Sequence, residues 1–165
     1  MRPETIAETV RLWQAAPEKA SGKPLVTGRS DSAQAVLEAG SFSWRADLPP
    51  SIGGSGAAPT PTALLLSALA GCAVVFIVDT LAPQLGVRVD SVQAMAQCEA
   101  DSRGLLGMAE VAPDLQNMQL TIEIHSPESE DKVEALYRVW LERCPIYLAL
   151  VKPRPVKTTL QIRSA

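Results

Sequence analysis

The chain has 165 residues, 47% of them hydrophobic, with a formal charge of −3 and a pI near 5.2. Because one core serves about 100 to 200 residues, a single domain is expected. No stretch gathers Lys and Arg on one helical face, which argues against nucleic acid or an anionic membrane as partner. Three cysteines and one histidine, His125, suit neither a secreted disulfide framework nor a zinc site, so no metal or cofactor is expected.

In chain order, Ile6, Val10 and Trp13 stand at helical spacing within residues 4–16, and Pro17 stops the pattern. Residues 1–22 therefore read as an N-terminal helical arm and 23–165 as the main domain. The polar start, without an apolar signal core, leads to the expectation of a cytoplasmic protein. Residues 24–29, 34–38 and 41–45 then form a small antiparallel meander. Residues 47–61 are rich in glycine and proline and read as a long loop, a class often functional.

Thr60 as cap and Pro61 in the first turn predict a helix to about Leu85, stopped by Gly86, with Pro83 fraying or kinking its last turn. It is apolar on every side through Val78, so burial is expected. Its apolar run, 63–78, is shorter than the roughly 20 residues a bilayer requires. Residues 87–99 read as a strand whose alternation slips near Ser91, where a bulge is possible. Residues 115–126 alternate more cleanly, with Met118, Leu120, Ile122 and Ile124 on one face. Ser126 and Pro127 would start a second long helix carrying Leu136, Tyr137, Trp140 and Cys144 inward. Pro145 interrupts it, since an internal proline costs about 3 kcal/mol. Residues 155–162 alternate as a closing strand.

The chemistry rests on Cys72 and Cys144. A helix break at Pro145 makes Cys144 a cap, its sulfur beside unpaired backbone N–H groups, a setting that favours the thiolate. Cys72 lies in an apolar helix, where burial disfavours the thiolate unless an arginine arrives from another segment; Arg29 and Arg45 are the candidates. Both thiols are either small core hydrophobes or a protected redox pair. Cys98 reads as a packing residue and His125 as solvent-exposed. Trp44, Trp140, Tyr137 and Phe76 read as core or interface, some able to wall an apolar pocket.

The Gly53-Gly54-Ser55-Gly56 loop leading to Pro61, the helix reaching Ala70-Gly71-Cys72, and the later Cys144-Pro145 together resemble the OsmC/Ohr family of hydroperoxide-detoxifying proteins, over roughly residues 23–162. The resemblance implies an α+β fold of two long central helices wrapped by antiparallel sheets. It also implies an intertwined homodimer with active sites at the subunit interface. The implied activity is a thiol-dependent peroxidase: Cys72 attacks an organic hydroperoxide, Cys144 resolves the product to a disulfide, and an external dithiol reduces it. Arg29 best matches the arginine that holds the family's thiolate. One position departs: ten residues before the first cysteine, where family peroxidases carry a glutamate that pairs with this arginine, stands Thr62. Arg29 is then free, reoriented, or partnered by Glu38 or another carboxylate. The competing expectation is a member without efficient peroxidase activity that binds a small apolar or thiol ligand at the dimer interface.

Overall fold

The computed structural model describes residues 3–108, 110–152 and 154–163. An amphipathic helix, α1 (Pro3–Ala15), is followed by a single 3-10 turn and then by three strands, β1 (Thr27–Asp31), β2 (Gln34–Ala39) and β3 (Phe42–Ala46). The strands form an antiparallel meander in which Arg29 pairs with Val36 and Val36 with Arg45, placing these three on one face. Among the described residues this sheet makes no extensive contact with any helix of its own chain.

Helix α2 (Pro61–Phe76) begins as its sequence dictates: Thr60 Oγ1 accepts the Ala63 N–H at 3.1 Å, and Pro61 fills the first turn. The helix continues through a π-helical turn, Ile77–Leu81, into α3 (Ala82–Leu85), and ends at Gly86, whose φ of 62° is left-handed. The wide turn has a local cause. Pro83 has no N–H to give the Asp79 carbonyl, and its ring would strike that carbonyl in an ideal α-helix. A widened turn replaces the fray or kink expected from the sequence.

The continuous helix, Pro61–Leu85, is long and apolar enough to cross a membrane by length and composition, longer than the 63–78 run suggested. It is also the spine of the core, with Leu69, Ala73, Ile77 and Leu81 buried. Ala73, Ile77 and Leu81 cluster with Leu136, Trp140 and Cys144. Its opposite side is left uncovered by the described residues: Val75 is 55% exposed and Val78 40%. Complete burial, expected from the all-round apolarity, is not reached because the described residues place no layer on that side.

Strands β4 (Ser91–Glu99) and β5 (Gln116–His125) form an antiparallel pair that packs on α2. Val92, Ala94, Leu120, Ile122 and Ile124 turn toward the core. The alternation slip near Ser91 is the start of the strand, and the register irregularity falls between Gln97 and Glu99. Between the strands lies α4 (Ser102–Leu105), one turn capped by Asp101, which the sequence reading did not anticipate.

The second long helix, α5 (Glu130–Arg143), starts later than Ser126 and Pro127 suggested. Ser126 is occupied in a turn, its hydroxyl donating to the Arg88 carbonyl at 2.5 Å and accepting the Glu128 N–H at 3.1 Å. Helix α6 (Pro145–Val151) follows a break at Cys144, whose ψ of 113° leaves the helical region. The predicted strand at 155–162 is absent: this segment has no regular secondary structure, and Val156, Leu160 and Ile162 are 84%, 83% and 85% exposed. Its alternation is real, but a strand requires a neighbour for its N–H and C=O groups, and none of the described strands pairs with it. The result is an α+β fold with two long helices, an antiparallel strand pair packed on α2, and a separate three-stranded antiparallel meander.

Candidate active site

The break before Pro145 turns the end of α5 into the core and sets the Cys144 sulfur against α2. Cys144 Sγ lies 3.2 Å from Cys72 Sγ, and both are free thiols. This is sulfur-to-sulfur contact, about 1.2 Å longer than a disulfide bond. Cys144 is completely buried, whereas Cys72 is half-buried. A solute arriving from solvent therefore meets Cys72 first.

The start of α6 supplies donors to both sulfurs. Pro145 has no N–H; the Tyr147 N–H donates to Cys144 Sγ at 3.5 Å, and the Ile146 N–H faces Cys72. The Ile146 amide is not enough to favour the Cys72 thiolate. Burial, followed by contact with the Cys144 thiol and its charge, pushes Cys72 from an ordinary 9.0 up to about 11. Around the pair, Trp140 stacks on Tyr137 at 6.1 Å between ring centroids and tilts against Tyr147 at 5.2 Å. Trp140 is 1% exposed and its indole N–H has no partner among the described residues.

The arginines lie elsewhere. Arg29 stands exposed on β1 with its guanidinium 3.8 Å from the Glu38 carboxylate. Arg45 is held by Asp31 at 2.9 Å and by the Gln34 side chain at 2.8 Å. Neither reaches Cys72 within the chain. Thr62 is half-buried beside an apolar cavity of about 530 Å³ at the start of α2, walled also by Leu48, Ile52, Leu105 and Leu115. Ten residues of helix put this cavity about 15 Å from Cys72. Cys98 is half-buried on β4 at the register irregularity. His125 is exposed and sits 2.8 Å from Glu123.

One residue escaped the sequence reading. Asp47, 3% exposed, gathers the Ser55 hydroxyl and the Ala57, Ser55 and Leu48 N–H groups, which hold its carboxyl far below the usual range. The signal was available: an aspartate directly before a glycine- and serine-rich loop is a turn former through its side chain.

Known proteins share this fold. The family model for OsmC-like protein matches residues 54–159. The fold is similar to a crystal structure of an OsmC-like protein from Mycoplasma pneumoniae, at 21% identity and a TM-score of 0.68 over 81% of this chain and 90% of that one. It is similar to the organic hydroperoxide resistance protein OsmC from Legionella pneumophila, at 17% identity and 0.57 over 78% and 89%. It also resembles the organic hydroperoxide resistance protein OhrB of Bacillus subtilis, at 16% and 0.51 over 78% and 90%. No curated protein matches the sequence. With the matched region running from the glycine loop through both thiols, the chain belongs to the OsmC-like protein family.

Proposed function

We propose that this protein is a thiol-dependent peroxidase that reduces organic hydroperoxides through the Cys72–Cys144 pair. The observation that carries the reading is the 3.2 Å sulfur contact. The Cys72 thiolate attacks the outer peroxide oxygen; the O–O bond breaks, the alkoxide takes a proton and leaves as an alcohol, and Cys72 becomes a sulfenic acid. Cys144 then attacks that sulfur, hydroxide leaves as water, and a disulfide forms with little movement. An external dithiol reduces it by exchange and is itself oxidised to a disulfide. Half-burial of Cys72 and complete burial of Cys144 favour this order of events. No cofactor takes part.

Cys72 needs a cation to form its thiolate, and among the described residues of the same chain none supplies one. A homodimer meets that need, and three features support it: the uncovered side of α2, the sheet β1–β3 that among the described residues makes no extensive contact with a helix, and the exposed alternating segment 155–162. In such a dimer Arg29 of one subunit serves Cys72 of the other. A cytoplasmic site of action, away from oxidising compartments, suits a pair that must be reduced after each cycle.

The test is turnover of cumene hydroperoxide with a dithiol such as dihydrolipoamide. Multiple turnovers that vanish in Cys72→Ser support the reading; single-turnover oxidation without reduction by any dithiol contradicts it. A second reading, a ligand-binding member without efficient peroxidase activity, is favoured by the raised Cys72 thiol and by Arg29 standing opposite Glu38. It predicts that Cys144→Ser leaves binding of a small apolar or thiol ligand at the dimer interface intact.

A further inference from the structure

Asp47 is the junction between two parts of the chain that otherwise scarcely touch. It follows the last residue of β3 and is the buried charged residue among those described. Its Oδ1 accepts the Leu48 N–H at 2.7 Å and the Ser55 N–H at 3.2 Å. Its Oδ2 accepts the Ser55 hydroxyl at 2.6 Å, the Ala57 N–H at 3.0 Å and the Gln34 side-chain amide at 3.3 Å. Its own N–H donates to the Pro59 carbonyl at 3.1 Å, one residue before the α2 cap Thr60. The glycine- and proline-rich loop thus closes on itself, and these hydrogen bonds tie the end of β3 to the start of α2.

Two further observations make the junction stiff. A Cβ added to Gly54 would lie 1.8 Å from the Leu48 carbonyl oxygen and 2.7 Å from Asp47 Oδ1, so backbone packs on backbone with no side chain between. On the sheet side, Gln34 on β2 accepts from Arg45 on β3, which also binds Asp31 on β1. One run of polar contacts therefore joins all three strands to Asp47, and Asp47 to the start of α2.

We propose that Asp47 is a positioning residue that fixes the sheet β1–β3 relative to α2 and so sets where Arg29 stands. That it orients the sheet follows from the contacts above; the consequence for catalysis rests on the role given to Arg29 under the proposed function. A carboxylate is required because five donors converge and it donates nothing. An asparagine amide would turn a donor against the Ser55 and Ala57 donors or the Leu48 N–H.

The experiment places spin labels, as unnatural amino acids that leave the cysteines intact, at Ser30 on β1 and Gln84 on α3. Labelled chains are diluted into unlabelled ones so that the intrachain distance is read. Asp47→Asn is expected to widen or split a distribution that is narrow in the parent, while the helical circular dichroism is kept. Should Asp47→Asn fail to fold, Ser55→Ala removes the shortest of the five contacts and keeps the carboxylate. An unchanged distribution in the folded variants overturns the proposal. In parallel, kcat/KM for cumene hydroperoxide is expected to fall roughly 100-fold in Asp47→Asn, the scale of a small misplacement in an active site. A widened distribution with Arg29→Gln fully active supports the orienting role and removes the catalytic role of Arg29, so the two ideas fail separately.

Discussion

Replacement of Arg29 by glutamine should slow the reaction of Cys72 with iodoacetamide and move its midpoint upward in pH. The size of the effect follows from the site. Within one chain, burial and the neighbouring Cys144 hold Cys72 at about 11 instead of 9.0, which leaves about 100-fold less thiolate at neutral pH. The more basic thiolate is the better nucleophile, with a Brønsted slope of about 0.4–0.5, so about tenfold is recovered and the net handicap is about tenfold. A partner guanidinium within about 4–6 Å would lower the thiol by about 1–3 units, which speeds alkylation about 3- to 50-fold. The Arg29→Gln protein should lose that gain and titrate near 11. The assay is alkylation across pH, with Cys72 read by peptide mass spectrometry so that Cys98 and Cys144 do not contribute. Equal rates and equal midpoints in parent and variant would refute the idea that Arg29 serves this thiol.

The remaining predictions concern stability and the loop. Trp140→Ala empties the largest fully buried side chain of the core and should cost about 3–5 kcal/mol, lowering Tm by about 6–20 °C for a chain of this size. For Cys72 the folded-state value lies above the ordinary one, so its contribution to stability is complete below pH 9.0 and is lost as pH rises through about 11. Thermal melts of the Arg29→Gln protein, where Cys72 keeps its raised value, should fall over that window, and the fall should shrink when Cys72→Ser is added. Gly54→Ala forces a methyl group onto the Leu48 carbonyl and should destabilise by about 1–3 kcal/mol in urea unfolding, against the stabilisation usual for Gly→Ala in a permissive loop.

Local features were the most legible in the sequence. The Thr60-Pro61 start of α2, the break at Cys144-Pro145 and the alternation of β5 each depend on neighbours within a few residues, and each is present. The meeting of Cys72 with Cys144 spans 72 residues of sequence; spacing showed only that both face inward, and the family resemblance supplied the pairing. The start of α5 was misread because Ser126 and Pro127 look like a helix cap, whereas the Arg88 carbonyl claims the serine hydroxyl. The closing strand at 155–162 was misread for a different reason: alternation reports which side would be buried, not whether a neighbouring strand exists in the same chain. Asp47 was passed over because its five partners come from Gln34 and from the loop after it, and no local pattern shows them converging.

The most direct measurement treats fully reduced protein with one equivalent of cumene hydroperoxide and maps its cysteines by mass spectrometry without further reduction. The account predicts a Cys72–Cys144 disulfide within a single chain, one alcohol released per disulfide, and Cys98 left as a thiol. Recovery of all three free thiols, or of oxidised Cys72 with Cys144 unchanged, would contradict it.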